Sequence, residues 1–155
     1  MQPLIDFTLF TSQPRTVESS EAMQELGREI AQRLRIGDVV LLHGDLGAGK
    51  TTLAQGVAEE LGIASPVQSP TFTLVREHDG SGMKFYHLDL YRLESPDELE
   101  DIGYETYIEP VDGVSLIEWP ERAGDWLPDR FLLVEIDHLG GDRRRATFTT
   151  HGGFR

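Results

Sequence analysis

Residues 44–52 read GDLGAGKTT, directly behind the apolar run Val39, Val40, Leu41 and Leu42. A complete GxxxxGK(S/T) loop between a strand and a helix leaves a chain few folds to choose from. Gly44, Gly47 and Gly49 let the backbone take positive φ and turn its amide N–H groups inward, where a side chain would block an anion. Lys50 supplies a point charge for β and γ phosphates, and Thr51 offers a hydroxyl to Mg²⁺. The helix that opens at Thr51 aims its positive dipole end at the same place. Leu53, Ala54, Val57, Ala58 and Leu61 recur at helical spacing until Gly62 stops the run, so the motif has the strand and the helix it requires. The implied ligand is a nucleoside triphosphate. The bland alternative is a Gly-rich turn that happens to contain a lysine.

Around this loop the chain of 155 residues fits one domain, expected to span 1–155. Ser19 and Ser20 with Glu21 open a helix whose Met23, Leu26, Ile30 and Leu34 share one face, ended by Gly37 and Asp38. Residues 65–73, SPVQSPTFT, with two prolines and small hydroxyl residues, read as an ordered loop leading into a strand. Two extended runs, 72–78 and 83–91, flank Asp79-Gly80-Ser81-Gly82 and read as a hairpin. Period two in the second run sets Tyr86, Leu88 and Leu90 against Phe85, His87, Asp89 and Tyr91, so Asp89 leaves the aliphatic face. Residues 95–103 begin as a capped acidic helix, with Ser95 as cap, Pro96 first and Glu98 three on from the cap. Val114–Trp119 is a strand, and 131–137 with 145–150 form a second hairpin across Leu139-Gly140-Gly141-Asp142. Residues 152–155 read as a frayed end. The resulting fold class is α/β: a three-layer sandwich of the P-loop nucleoside triphosphate hydrolase type, its mixed sheet containing antiparallel hairpin strands.

Composition excludes several functions. With no cysteine, thiol catalysis, Cys-based zinc sites and a disulfide framework are out, and a reducing, cytoplasmic setting is the expectation. No apolar run approaches membrane-spanning length, and MQPLIDFTLF lacks a basic leader region. A net charge of −13 repels a polyanion, so autonomous nucleic-acid binding is disfavoured and a basic partner surface is favoured. Arg143, Arg144 and Arg145 sit at an expected turn, most simply as a solvated cluster from which one arginine could reach a nucleotide.

Phosphoryl transfer asks a protein for charge neutralisation and positioning, so the acids and hydroxyls near the loop matter most. Glu118 ends an apolar strand, where an acid reaches Mg²⁺ beside a phosphate loop. Asp89 could orient the attacking water or hold the metal's outer shell, or simply pair with a neighbour such as Arg92. Thr71 and Thr73 could sense the γ-phosphate as a switch loop does, or mark only a loop-to-strand junction. Trp119 is read first as a core residue and His87 as a hydrogen-bonded strand residue. HLDLYRLE also resembles the HxDxxxxN loop of protein kinases, but Glu94 stands where the metal-binding Asn belongs, and that reading is rejected.

GDLGAGKTTL, SPTFTLV, FYHLDLYRL with PDELEDIG, and LIEWPE followed by LP, in this order, resemble the TsaE family, formerly called YjeE, from about Ser20 to Arg145. The resemblance implies a small bacterial ATPase that works with two partner proteins, TsaB and TsaD, to make threonylcarbamoyladenosine on tRNAs reading codons that begin with A. It implies ATP or ADP and Mg²⁺ as ligands, and contact with tRNA only through the complex. Lys50 and Thr51 then match the phosphate-binding Lys and the Mg²⁺-binding Thr, with amides from Asp45, Leu46, Gly47, Ala48, Gly49 and on to Thr52 around the phosphates. Glu118 falls on the metal-binding acid, Asp89 on an acid implicated in hydrolysis, Thr71 in the switch-like segment and Trp119 beside the site. Ser19, Ser20 and Arg143 align with positions near the base and sugar. The competing function is a small P-loop kinase acting on a metabolite, which needs an acceptor pocket and an arginine-rich lid.

Overall fold

Strand β2 (Val39–Gly44) is the centre of the molecule because its first four residues are apolar and buried on both faces, as a strand inside a parallel sheet must be. The computed structural model describes residues 13–45, 47–64 and 74–152. Among these, seven strands form one sheet in the order β1-β7-β6-β2-β5-β4-β3. The others are β1 (Arg15–Val17), β3 (Val75–Asp79), β4 (Lys84–Asp89), β5 (Gly113–Glu118), β6 (Phe131–Gly140) and β7 (Arg143–His151). Four neighbours, β6, β2, β5 and β4, run parallel, and antiparallel partners close both sides. From β2 the chain crosses to β4, returns to β5 and then passes to β6 on the far side. The strand order therefore reverses about β2, and the crevice at its carboxyl end is where such sheets bind ligands.

Helices cover both faces, giving the expected three layers. On one face, Met23, Leu26 and Ile30 of α1 (Ser20–Ala31) and Leu53 and Val57 of α2 (Lys50–Glu60) pack on Val40, Leu42, Leu116 and Val134. On the other, Leu99 of α3 (Glu98–Asp101) and Tyr107 of α4 (Glu105–Ile108) meet Val39, Leu41, Leu88 and Ile117, joined by Ala123 of a 3₁₀ segment, Pro120–Trp126. Each such aliphatic side chain removed from water stabilises the fold by about 1.5–3 kcal/mol before entropy is counted. Helices α1 and α2 touch backbone to backbone. A Cβ on Gly27 would strike the Leu53 carbonyl oxygen, and one on Gly56 the carbonyl oxygen of Gln24.

The local expectations meet the structure with several corrections. Ser19 caps α1, its Oγ accepting from Ala22 N at 3.0 Å, but the helix closes at Ala31 while Leu34 stays buried in the turn beyond it. The capped acidic helix is two single turns, because Gly103 takes a φ of 68° between them. Its first turn starts later than expected, with Asp97 and not Ser95 at the N-cap and no side-chain cap there, while the Glu98 carboxylate reaches back to accept from Ser95 N at 3.0 Å and from Glu94 N at 2.8 Å. The second hairpin is longer than expected, with a turn tightened by Gly140 and Gly141 at φ 115° and 56°, so Arg143, Arg144 and Arg145 lie in β7 and not in a turn. Strand β1 and the 3₁₀ segment had no signal in the sequence reading. Strand β3 begins at Val75, later than the expected run from residue 72, because Leu74 takes a φ of 64°; Thr71, Thr73, the 65–73 loop, Leu46, the first twelve residues and the final 153–155 lie outside the described residues.

Tyr104 offers a test of the second core. Its ring is fully buried edge-on to Trp126 at 6.3 Å, yet its hydroxyl finds no hydrogen-bond partner among the described residues. Burial alone pushes that hydroxyl's pKa above the ordinary tyrosine value. A phenylalanine keeps the packing and removes the orphaned group, so Tyr104→Phe is expected to be neutral or up to about 1 kcal/mol more stable. A urea midpoint clearly below that of the unaltered protein would contradict this.

Candidate functional site

The phosphate loop leaves β2 at Gly44 and enters α2 at Lys50, so its backbone lies at the carboxyl edge of the sheet. Gly44 is crowded: a Cβ there would sit 2.8 Å from the Ile136 carbonyl oxygen of β6. Gly49 precedes α2 at φ 107°, a conformation that disfavours any side chain. With no side-chain cap on α2, its first amides are available to an anion at the helix N-terminus.

Lys50 is only 5 % exposed. Its Nζ donates to the Gly44 carbonyl and rests 3.7 Å from the centroid of the Trp119 ring. Burial holds the ammonium below the usual lysine range, and the nearby Glu118, Asp89, Glu121 and Asp45 pull it back up only in part. Added negative charge in the crevice would relieve that cost, which is what a phosphate supplies. Trp119 adopts φ 58°, ψ 51°, a left-handed conformation rare for a bulky residue, and packs against the Tyr91 ring with centroids 4.8 Å apart and planes tilted by 46°. It packs on the second core and also forms a wall of the site, so the core reading was half of its role.

Parallel pairing of β4 and β5 sets Asp89 directly opposite Glu118, both 3 % exposed. Two carboxylates on one face beside a threonine hydroxyl make an oxygen donor set suited to a hard cation such as Mg²⁺. Asp89 Oδ1 accepts from Tyr91 N at 2.9 Å. Glu118 Oε2 lies 2.6 Å from His87 Nε2. Gly47, Gly49, Lys50, Thr51, Thr52, Asp89, Tyr91, Arg92, Glu118 and Trp119 enclose a cavity of about 490 Å³. Thus Lys50, Thr51, Asp89 and Glu118, separated by up to 68 positions along the chain, are brought to one place.

A second cavity of about 130 Å³ adjoins the other side of the loop, lined by Ser19, Ser20, Met23, Ala48, Thr52, Asp142 and Arg144 among others. Ser19 and Ser20 reach it from the start of α1. Arg143, expected there, is instead exposed on β7, and its neighbour Arg144 takes the place, donating to the Gly47 carbonyl at 3.3 Å. Alternation along a strand decides this, since adjacent side chains leave opposite faces. The sequence reading of three arginines in a turn held no such signal. Asp45 is exposed at the loop's entrance and lines neither cavity. Tyr91 and Arg92 also line the larger cavity, and the HLDLYRL segment that carries Asp89 is the sequence signal that points to them.

Residues 17–146 match the family model described as threonylcarbamoyl adenosine biosynthesis protein TsaE. The chain belongs to the TsaE family. A TsaE protein from Bacillus subtilis, named a tRNA threonylcarbamoyladenosine biosynthesis protein, is 43 % identical over 138 residues, covering 89 % of this chain and 85 % of its own. The TsaE of Streptomyces coelicolor is 44 % identical over 123 residues, 77 % and 82 % of the two chains. The crystal structure of Bacillus subtilis YdiB superposes with a TM-score of 0.77 at 34 % identity, over 91 % of this chain and 86 % of that one. The fold is therefore the P-loop type shared by TsaE proteins, and no helix among the described residues is long and apolar enough to cross a membrane.

Proposed function

We propose that this chain is a Mg²⁺-dependent ATPase serving threonylcarbamoyladenosine modification of tRNA, weakly active alone and stimulated by TsaB and TsaD. The observation that carries the reading is the convergence of Lys50, Thr51, Asp89 and Glu118 on one crevice at the phosphate loop. In this reading the loop amides and Lys50 bind and neutralise the β and γ phosphates, and the N-terminus of α2 adds its dipole. Thr51 and Glu118 would hold the metal, which would supply positive charge to offset that of the phosphates. Asp89, whose Oδ1 accepts from the Tyr91 amide, orients the attacking water. The second cavity, with Ser19, Ser20 and Arg144, receives the nucleoside end. The acidic surface suits a chain that meets tRNA only through its partners. Family membership supports the pathway; the site chemistry supports the reaction.

Two measurements test this. ADP release is followed for the chain alone, with TsaB and TsaD, with and without EDTA, and against a panel of small phosphate acceptors. Slow release that needs Mg²⁺ and rises with the partners is the expected result; a phosphorylated acceptor would establish the kinase alternative instead. Asp89→Asn preserves the acceptor for the Tyr91 amide but weakens the base. Turnover is expected to fall by at least about a hundredfold while nucleotide binding persists, and near-normal turnover would remove Asp89 from the mechanism.

A further inference from the structure

His87 is fully buried on β4, two residues before Asp89 and on the same face, and its Nε2 meets Glu118 Oε2 at 2.6 Å. Its ring lies nearly parallel to Phe85, with centroids 5.8 Å apart and planes 19° apart. The other ring nitrogen, Nδ1, is buried and finds no hydrogen-bond partner among the described residues. Stability does not explain this arrangement. A buried carboxylate paired with a half-satisfied imidazole is at best neutral against an apolar pair of the same volume, and the orphaned Nδ1 adds a cost. Geometry does explain it. Asp89 stands directly across from Glu118, so an untethered Glu118 would swing away from its like-charged neighbour. A donor fixed on Oε2 holds the carboxylate in the crevice and leaves Oε1 for a ligand.

We propose that His87 is a positioning residue of the cation site, orienting Glu118 for a divalent metal without touching substrate. The inference rests on the reading of Glu118 as a metal-binding acid. It matches the general arrangement in which a partner outside the ligand shell fixes a ligating carboxylate. Since His87 acts only through the metal ligand, its loss should weaken metal-assisted nucleotide binding and spare metal-free binding. That separation distinguishes positioning from a merely structural role.

The test is calorimetric titration of ADP into the full chain, once with Mg²⁺ and once with EDTA, with thermal midpoints recorded alongside. His87→Leu is expected to lose about tenfold of the Mg²⁺-dependent gain in affinity while affinity in EDTA changes by no more than about twofold. His87→Gln, whose amide nitrogen reaches where Nε2 stands, should restore most of the gain; His87→Asn is too short and should not. If the leucine variant does not fold, the Gln and Asn proteins decide the question between them. An unaltered Mg²⁺ gain in His87→Leu, an equal loss with and without metal, or a Gln variant no better than Asn overturns the proposal. ADP affinity of the unaltered protein that is indifferent to Mg²⁺ overturns the metal reading of Glu118 itself, and this inference with it.

Discussion

Lys50→Ala is expected to bring ATP turnover to background, a loss of at least about a hundredfold, in a protein that still folds. The functional half follows from placement. Lys50 is the phosphate-loop cation in the cavity, beside the two buried carboxylates Asp89 and Glu118. The stability half follows from its pKa. A lysine whose folded-state pKa lies below its unfolded value opposes folding while charged. That cost is fully present below the lowered pKa and is relieved as pH rises through it toward 10.5. Alanine removes the cost but also the alkyl packing and the contact with the Trp119 face, and the two changes oppose one another. Circular dichroism should show a thermal midpoint close to that of the unaltered protein. In a modification assay reconstituted with TsaB and TsaD, the variant should fail to sustain turnover. A folded Lys50→Ala protein with ordinary ATP consumption would sink the proposed function.

Gly56→Ala carries the largest expected stability effect because two principles give it opposite signs. Helix propensity alone makes alanine better than glycine inside α2 by about 1 kcal/mol. Against this, the added Cβ would run into the carbonyl oxygen of Gln24 in α1, and its next neighbours there are also backbone atoms. A clash with the end of a flexible side chain relaxes by a rotamer change, whereas one with backbone forces the helices apart. Separation exposes Met23, Leu26, Leu53 and Val57, so the contact should win by about 2–3 kcal/mol, an apparent overpacking cost. In a domain of this size that is a fall of roughly 5–10 °C in the thermal midpoint. Because α2 begins at Lys50, nucleotide binding should weaken as well. A midpoint at or above that of the unaltered protein would mean the helix pair yields more easily than its close contact implies.

Much of the site was legible before any coordinates, for a physical reason. A phosphate cradle is made from contiguous backbone, so its residue types and spacing are local: glycines where amides converge, then Lys50 and Thr51 at a helix start. Glu118 was legible because a strand end beside the loop is a position periodicity can find. The hairpins, the cap of α1 and the alternation along β4 are local in the same sense. The arginine cluster marks the boundary. Residue content leaves open which of the three arginines lines the second cavity, because the choice of Arg144 over Arg143 depends on where the turn ends and which face of β7 each side chain leaves.

What the sequence by itself determined is the phosphate loop, the strand-helix frame that presents it and, through the ordered set of motifs, the TsaE family. What only the tertiary structure decided is how residues far apart in sequence meet: Glu118 with His87 at 2.6 Å, Lys50 against the Trp119 ring, Arg144 over Gly47, and α1 pressed on α2 at Gly27 and Gly56. The difference has one cause. Local patterns record backbone conformation and the face a side chain takes, while such meetings depend on strand order and register, which bring β4 beside β5 and β7 within reach of the loop.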